Sequence, residues 1–482
     1  MMRFSNASIL DRAILAVAPM RGLGRIQAKA KASILMNYDA GGMGRRVKGI
    51  KGPATDADAS SLGSRRILRN RSRDLIRNAP FAKRAQSVVT NNVVSAGIAP
   101  TITGSKAAKA AAEKVVLPFL QSTEIDAHRA MNFATMQSVV CNSLFESGEV
   151  LALRRTRDDV NATLPLAVEI LEIDHLDSTV QSNGDNEVID GIEYDHVSGV
   201  VVAYWIFEQH PGSASRKRNM KSNRVPAGDV LHIRRIDRPG QMRGVPWLAP
   251  VMLTLTEMRD YQEAQILKQK ISALLAGVVE SADGVPEGAS GLDSLAPGAF
   301  VYTEEGQKVT FTTPPKVDDY DVVMRLGLRA VAMGIGITAE SLSGDLSAVN
   351  FSSMRAGRLE MDKNVEAWQE QILISQFCAG VGRWVLNAYR LKSAKRQAPL
   401  GMDWTAPARA LVDPTKEVPA ILKKIEGGLT SLQREQRRMG LDPDTIARER
   451  GEDAARHPAP DEPGAGAEIE KGKKLKKETA HE

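Results

Sequence analysis

The sequence is poor in the residue types that usually carry chemistry. Of 482 residues, 2 are cysteine, 7 are histidine and 5% are aromatic. Cys141 and Cys378 lie far apart in apolar helical contexts, which reads as two buried thiols in a reducing compartment and not as a disulfide framework. The histidines form no spaced pair of the kind a zinc site needs. Asp174, His175 and Asp177 are metal ligands by type, but no second cluster accompanies them, so neither a metal nor a cofactor is expected. No GxxxxGK[ST] stretch is present, which removes a P-loop. The stretch GITAESLSG (336–344) lacks the GxSxG spacing of a nucleophile elbow. No run of ~18 apolar residues offers a membrane span, and Asp11 and Arg12 break the apolar stretch near the N-terminus that a signal core would need. These absences point to a protein without catalysis, held inside a cell or inside a particle assembled there.

What is present is a chain long enough for two or three domains with real cores. The net charge is +6, from 64 basic and 58 acidic residues, so the placement of charge matters more than its sum. Residues 1–60, with a Gly41-Gly42-Met43-Gly44 cluster, read either as a short amphipathic helix followed by an extended arm or as a disordered terminus. Residues 62–90 hold Arg65, Arg66, Arg69, Arg71, Arg73, Arg77, Lys83 and Arg84 against Asp74 alone, with Ile67, Leu68, Leu75, Ile76 and Val88 supplying an apolar helix face. Arg65, Arg66, Arg69, Arg73 and Arg77 then have two readings. They contact phosphates without sequence preference and with strong salt dependence, or they are a plain solvated helix face or pair with carboxylates of a neighbouring subunit.

Residues 105–150 read as helical, with Phe133, Met136, Val139, Val140, Leu144 and Phe145 as the apolar set. After Gly148 the period changes to short β-rich runs separated by Gly, Asn, Asp and Pro, and His196 to Gly199 closes a hairpin. Pro246 suits the first turn of a helix that carries Leu255, Met258, Tyr261, Ala264, Leu267, Ile271 and Leu274 on one stripe. An excursion over 276–316 follows, with a hairpin turning at Glu304-Glu305-Gly306. A second helix over 318–335 places Val323, Leu326, Ala330 and Met333 at helical spacing. A polar interruption then leads, through a cap at Ser352 or Ser353, into a long helix. Its stripe is Met354, Met361, Val365, Trp368, Ile372, Ser375, Ala379, Gly382 and Leu386, and its length is about 60 Å at the α-helical rise. Asp413-Pro414 and Asp442-Pro443 start further short helices, and the composition of 457–482 predicts disorder.

The order of these pieces resembles the lambda-type portal proteins of tailed bacteriophages. The matching residues are Arg243-Gly244-Val245-Pro246-Trp247, Pro297-Gly298, Thr313-Pro314-Pro315, Gly334-Ile335-Gly336-Ile337, Leu342-Ser343-Gly344-Asp345 and Asn350-Phe351-Ser352-Ser353-Met354-Arg355-Ala356. The resemblance covers residues 50–450, with the pieces in the same order. Phe351 departs from the family, which more often shows tyrosine there.

The resemblance implies an α+β, ring-forming portal fold. Its parts are an N-terminal arm (1–60) lying across a neighbouring subunit, a wing (61–250), a stem helix (251–275), a small β clip (276–316), a second stem helix (317–336), a tunnel loop (337–352), a long helix of the wing (353–395), a helical crown (396–456) and the tail (457–482). The implied function is a ring of twelve copies at one capsid vertex. It conducts double-stranded DNA, without sequence specificity, during packaging and ejection. It docks the terminase large subunit, head–tail adaptors and capsid or scaffold proteins. No membrane is involved; assembly is in the host cytoplasm and residence is in the virion. Thr338, Glu340, Ser341, Ser343, Gly344, Asp345, Ser347 and Asn350 would face the DNA. Glu340 and Asp345 would repel phosphates so that the duplex slides. Lys268 and Lys270 would bracket the channel, and Glu280, Asp283, Glu304 and Glu305 would meet partners at the clip. Two other classes compete: a DNA-binding scaffold without a ring, built on the 62–90 arginines, and an enzymatic packaging subunit acting as nuclease or protease.

Overall fold

The computed structural model describes residues 17–19, 54–214, 220–274, 278–280, 308–310, 319–347, 349–393, 398–409, 413–441 and 443–456. The chain divides into two units, Met1–Ser60 and Ser61–Glu482. The expected arm lies outside the described residues for most of its length, as does the whole of the tail. The second unit mixes helices and antiparallel strands.

That unit opens with α1 (Arg65–Asn78) and α2 (Pro80–Val93), joined by Ala79 in extended conformation with Pro80 at the first turn. Strand β1 (Ala99–Thr103) precedes α3 (Lys106–Gln121) and α4 (Phe133–Ser147). Of the six apolar residues expected to form the α4 face, five are buried and Val139 is half-buried. The change of period at Gly148 is a change of structure. Gly148 takes the left-handed conformation at φ +85°, where its missing Cβ removes the penalty, and β2 (Glu149–Arg155) starts immediately.

Two sheets share β2's neighbourhood. A three-stranded sheet has the order β3 (Ala167–Glu172), β2, β9 (Val230–Arg234). A five-stranded sheet runs in sequence through β4 (Ser182–Asn183), β5 (Asn186–Ile189), β6 (Ile192–Tyr194), β7 (Val201–Phe207) and β8 (Ser222–Pro226). Alternation along β2 feeds two cores. Val150 and Ala152 join the main core with the helices, while Leu151 and Leu153 join a second core with Ile173, Ile192, Tyr204 and Ile206. The expected β6–β7 hairpin is present, with Gly199 N–H bonded to the Asp195 carbonyl.

The first long helix, α5 (Met252–Leu274), begins later than Pro246 suggests, because residues 247–251 are turn. Strands β10 (Val278–Glu280) and β11 (Lys308–Thr310) pair with each other and close the base of the excursion. The hairpin turn at 304–306, and Asp283, Glu304 and Glu305 with it, lie outside the described residues, as do Pro297-Gly298 and Thr313-Pro314-Pro315. Then come α6 (Tyr320–Ile335), α7 (Ala339–Ser343) and a continuous helical rod of α8 (Phe351–Trp368), a π-helical segment (Gln369–Cys378) and α9 (Ala379–Lys392). The π segment has wider turns, so the straight 3.6 period fails across it. Ser375, expected on the inner stripe, is exposed, and Phe377 and Cys378 are buried. Strand β12 (Gly401–Thr405), unannounced by the sequence, pairs antiparallel with β1. Helices α10 (Pro414–Glu426) and α12 (Pro443–Arg456) start at their prolines as expected, with α11 (Leu432–Arg438) between them.

Candidate functional site

The candidate site is the α5–α6 pair and the segment that carries the chain from α6 into α8. The pair packs closely because two glycines one heptad apart lie at the crossing. A Cβ on Gly327 would stand 2.6 Å from Met258 Sδ, and one on Gly334 would stand 2.3 Å from Val251 Cγ1. Tyr261 and Tyr320 stack at 5.7 Å further along. The covered face of α6 is Met324, Leu328, Val331 and Ile335. The stripe of Val323, Leu326, Ala330 and Met333 read from the sequence is on the outer face, with Leu326 58% and Met333 76% exposed. Helical periodicity finds an apolar stripe without saying what covers it, and α6 has two. On α5, Leu255 and Met258 are buried, Tyr261 is half-buried, and Ala264 and Leu267 are exposed. Lys268 is half-buried and Lys270 exposed on the same helix.

The 337–352 segment is less of a loop than its composition suggests. Gly336 ends α6 at φ +91°, and the N–H groups of Gly336 and Ile337 both bond the Ala332 carbonyl. Ile337 and Leu342 are buried, which pins α7 to the body. Thr338 caps α7: its hydroxyl accepts from Ser341 N–H at 3.2 Å and lies 2.7 Å from Ser341 Oγ. Arg84 Nε on α2 donates to the Ser341 carbonyl at 3.1 Å. Thr338, Glu340 and Ser341 are therefore half-buried, while Ser343, Gly344, Asp345, Ser347 and Asn350 form an exposed tip. Gly344 ends α7 at φ +74°. Asp345 Oδ1 accepts from the hydroxyl of Ser347 at 2.6 Å and from its N–H at 2.9 Å. The Ser347 hydroxyl first, then its amide, hold the Asp345 carboxyl below the usual carboxylate range, so the tip keeps its negative charge into mild acid. The cap of α8 is Asn350, not Ser352 or Ser353: its side chain accepts from Ser353 N–H at 2.8 Å.

Three of the α1 arginines are placed differently from the sequence-based expectations. Arg65, Arg69 and Arg73 recur every four residues and face inward. Arg65 Nη1 meets Asp190 at 2.5 Å, and Arg69 Nη2 meets Asp174 at 2.8 Å. Arg73 reaches Asp174, Glu172 and Glu146 at 2.7, 2.9 and 3.2 Å. The carboxylates come from the same chain, so these three are neither phosphate ligands nor contacts to a neighbour; Arg66 and Arg77 remain exposed. Burial pushes the Asp174 carboxyl up, but Arg69 and Arg73 outweigh it and hold it below the usual range.

Asp174, His175 and Asp177 do not converge. His175 Nδ1 lies 2.9 Å from the Phe207 carbonyl, and Asp177 accepts from Thr179 and Ser222. Ligand atoms of Glu172, Asp174 and His210 do gather within 4.8 Å, but Arg73 already bridges the two carboxylates and supplies the charge a cation would.

One buried constellation escaped the sequence reading. Glu149, fully buried, accepts from Arg243 Nε and Nη2, from His232 Nε2 at 3.0 Å and from Gly244 N–H at 2.8 Å. Burial alone would raise this carboxyl; Arg243 and His232 bring it far below its ordinary range. The available signal was a lone glutamate opening the apolar run EVLAL (149–153).

The family model described as "Phage portal protein, lambda family" matches residues 43–369. The probable portal protein of Halomonas phage phiHAP-1 is 27% identical over 435 residues, covering 84% of this chain and 83% of that protein. Portal protein B of Escherichia phage lambda is 22% identical over 468 residues, covering 83% and 86%. Among solved structures, the neck of a native gene transfer agent particle computed with C12 symmetry is similar at 13% identity and a TM-score of 0.47, covering 77% of this chain and 94% of that one.

Proposed function

Because the chain belongs to the lambda family of phage portal proteins, we propose that copies of it close into a ring, of twelve by analogy, at one vertex of the capsid. The ring conducts double-stranded DNA inward at packaging and outward at ejection. Helices α5 and α6 form its stem, the 276–316 excursion engages the terminase large subunit and later the head–tail adaptors, and the 343–350 tip meets the duplex. This reading assigns the chain no catalysis of its own.

The observation that supports it best is the second apolar face of α6. Val322, Val323, Leu326 and Met333 are uncovered in the single chain, and Ile266 and Leu267 of α5 are exposed too. Burial of each such side chain is worth roughly 1.5–3 kcal/mol, and closed rotational symmetry lets identical copies cover one another without leaving a free end. The competing reading of a scaffold without a ring loses its main support, because Arg65, Arg69 and Arg73 are engaged within the chain.

The test is electron microscopy and sedimentation of purified protein. Rings with a central hole are expected, and Leu326→Asp with Met333→Asp should leave folded monomers. A wild-type protein that stays monomeric at every concentration, or a double variant that still forms rings, overturns the proposal.

A further inference from the structure

Arg243 divides its guanidinium between two bodies. The Nε and Nη2 edge grips Glu149, with Nη2 at 2.8 Å from Oε1 and Nε at 3.0 Å from Oε2. Nη1 points the other way, to the Asp190 carbonyl at 3.2 Å and the Asp190 carboxylate at 3.4 Å. Asp190 and Gly191 are the two central residues of the β5–β6 turn, both at positive φ, +50° and +80°. That turn is one of the places where the five-stranded sheet meets the rest of the body, beside the core it shares with Leu151 and Leu153, and Arg65 of α1 holds the same carboxylate from a second side.

On the Glu149 side the backbone is interlocked. A Cβ on Gly244 would stand 2.1 Å from the Gly148 carbonyl oxygen, and one on Gly148 would stand 2.3 Å from the Val245 carbonyl carbon. Residues 243–245 therefore lie flat against the α4–β2 junction. Four residues on, Trp247 is packed against Phe145 at 5.8 Å and Trp368 at 4.9 Å, with the Arg235 guanidinium 5.2 Å from its ring centroid. Helix α5 starts at Met252, so little freedom remains between the ion pair and the first turn.

A fully buried ion pair is a poor means of stabilisation, since desolvation offsets most of the attraction. Its specific use is to fix one arrangement. A forked, planar group is needed to serve two acceptors on opposite sides, which a lysine ammonium cannot do. We propose that Arg243 is a positioning residue that couples the five-stranded sheet to the start of α5, so that displacement of the Asp190 turn is carried to the helix. In the ring this would tie the wing to the stem; that consequence rests on the functional reading above, whereas the coupling itself does not.

Hydrogen exchange on the full-length protein tests the coupling. Asp190→Asn keeps the turn and the buried Glu149–Arg243 pair but weakens the second grip, together with the Arg65 contact to the same carboxylate. It should raise exchange roughly tenfold both in residues 189–192 and in residues 244–255, the scale of one lost coupling between neighbours. Arg65→Gln, which removes only the Arg65 contact, should leave residues 244–255 unchanged. Glu193→Gln is a second control. It disturbs the same sheet elsewhere, where Arg224, Asn183, Asn186 and Trp205 converge on the Glu193 carboxylate, and should act only within the sheet. Arg243→Lys should reproduce the Asp190→Asn pattern; should it fail to fold, Asp190→Asn decides alone. Exchange confined to 189–192 in Asp190→Asn, or reaching 244–255 equally in Glu193→Gln or Arg65→Gln, overturns the inference. Because the readout is local exchange, its failure is distinct from a failure of rings to form or to conduct DNA.

Discussion

The side-chain amide of Gln376 pairs with the backbone of Arg234 as a neighbouring strand would. Its Nε2 donates to the Arg234 carbonyl and its Oε1 accepts from the Arg234 N–H, both at 2.9 Å. Arg234 is the last residue of β9, whose other edge pairs with β2. Gln376 sits in the π segment of the long rod, and the wider turn there brings a side chain to an edge that would otherwise be unpaired. Gln376→Leu preserves size but leaves two backbone groups without partners, each costing about 1–3 kcal/mol if water cannot replace them. The expected result is a lower denaturation midpoint with the fold retained, read by urea unfolding. An unchanged midpoint would mean that water substitutes fully.

Gly334 faces Val251 where α5 and α6 cross. The Cβ of an alanine there cannot fit unless the Val251 side chain turns away or the helices separate, and overpacking of this kind costs typically about 1–3 kcal/mol. Gly334→Ala should destabilise, although alanine is the better helix former. Val251→Ala in the same chain should recover part of the loss, since it removes the clashing methyl groups. Stability of the two single variants and the double variant, measured as a cycle, checks the contact. Equal effects with and without Val251 would move the cause elsewhere.

Much of the fold was legible because its signals are local. The helix-to-strand change at Gly148, the hairpin at Gly199 and the helix starts at Pro414 and Pro443 each depend on one residue's backbone preference. The family motifs around α7 are of the same kind: Gly336 and Gly344 are left-handed helix ends and Asn350 is a cap. What failed to show depends on contacts between distant segments. The α1 arginines read as a free cationic face because Asp190, Asp174, Glu172 and Glu146 lie about seventy or more residues away. The stripe read on α6 is its uncovered face; the second stripe, Met324, Leu328, Val331 and Ile335, that packs within the chain went unread because both sides are apolar. Strand β12 is short and was recognisable only with β1 as its partner. The stripe on the long rod failed at Ser375 because nothing in composition announces a π turn.

The buried junction predicts two steps of acid sensitivity. His232 is wholly enclosed, and burial lowers its affinity for a proton more than Glu149 raises it. The unfolded chain therefore protonates this histidine near its ordinary value of about 6.5 while the folded chain does not, so stability begins to fall as pH drops below that value. Glu149 and Asp174 are shifted down in the folded state. Their contribution is present above the ordinary carboxylate range of about 4 and is lost below it, as pH falls toward their folded values. Urea midpoints between pH 8 and pH 3 should show both declines. His232→Gln should remove the upper one and leave the lower, and a wild-type midpoint that is flat from pH 7 to pH 5 would contradict the enclosed, neutral state of His232.

Asp345 is the one charged residue at the exposed tip between α7 and α8. Glu340, the other carboxylate of the segment, is half-buried on α7. The Ser347 bonds keep Asp345 ionised, and repetition around a ring would make a negative collar where the duplex passes. Carboxylates repel phosphates, whereas lysines bind them by releasing counterions, with an affinity that falls steeply with salt. Asp345→Lys should therefore leave ring assembly intact and slow or stall packaging, with partial recovery at higher ionic strength. Asp345→Asn, which removes repulsion without adding attraction, should have the smaller effect. DNA packaged per capsid, measured against ring counts from the same preparations, separates passage from assembly. Packaging at the wild-type rate in Asp345→Lys would remove this tip from the path of the DNA.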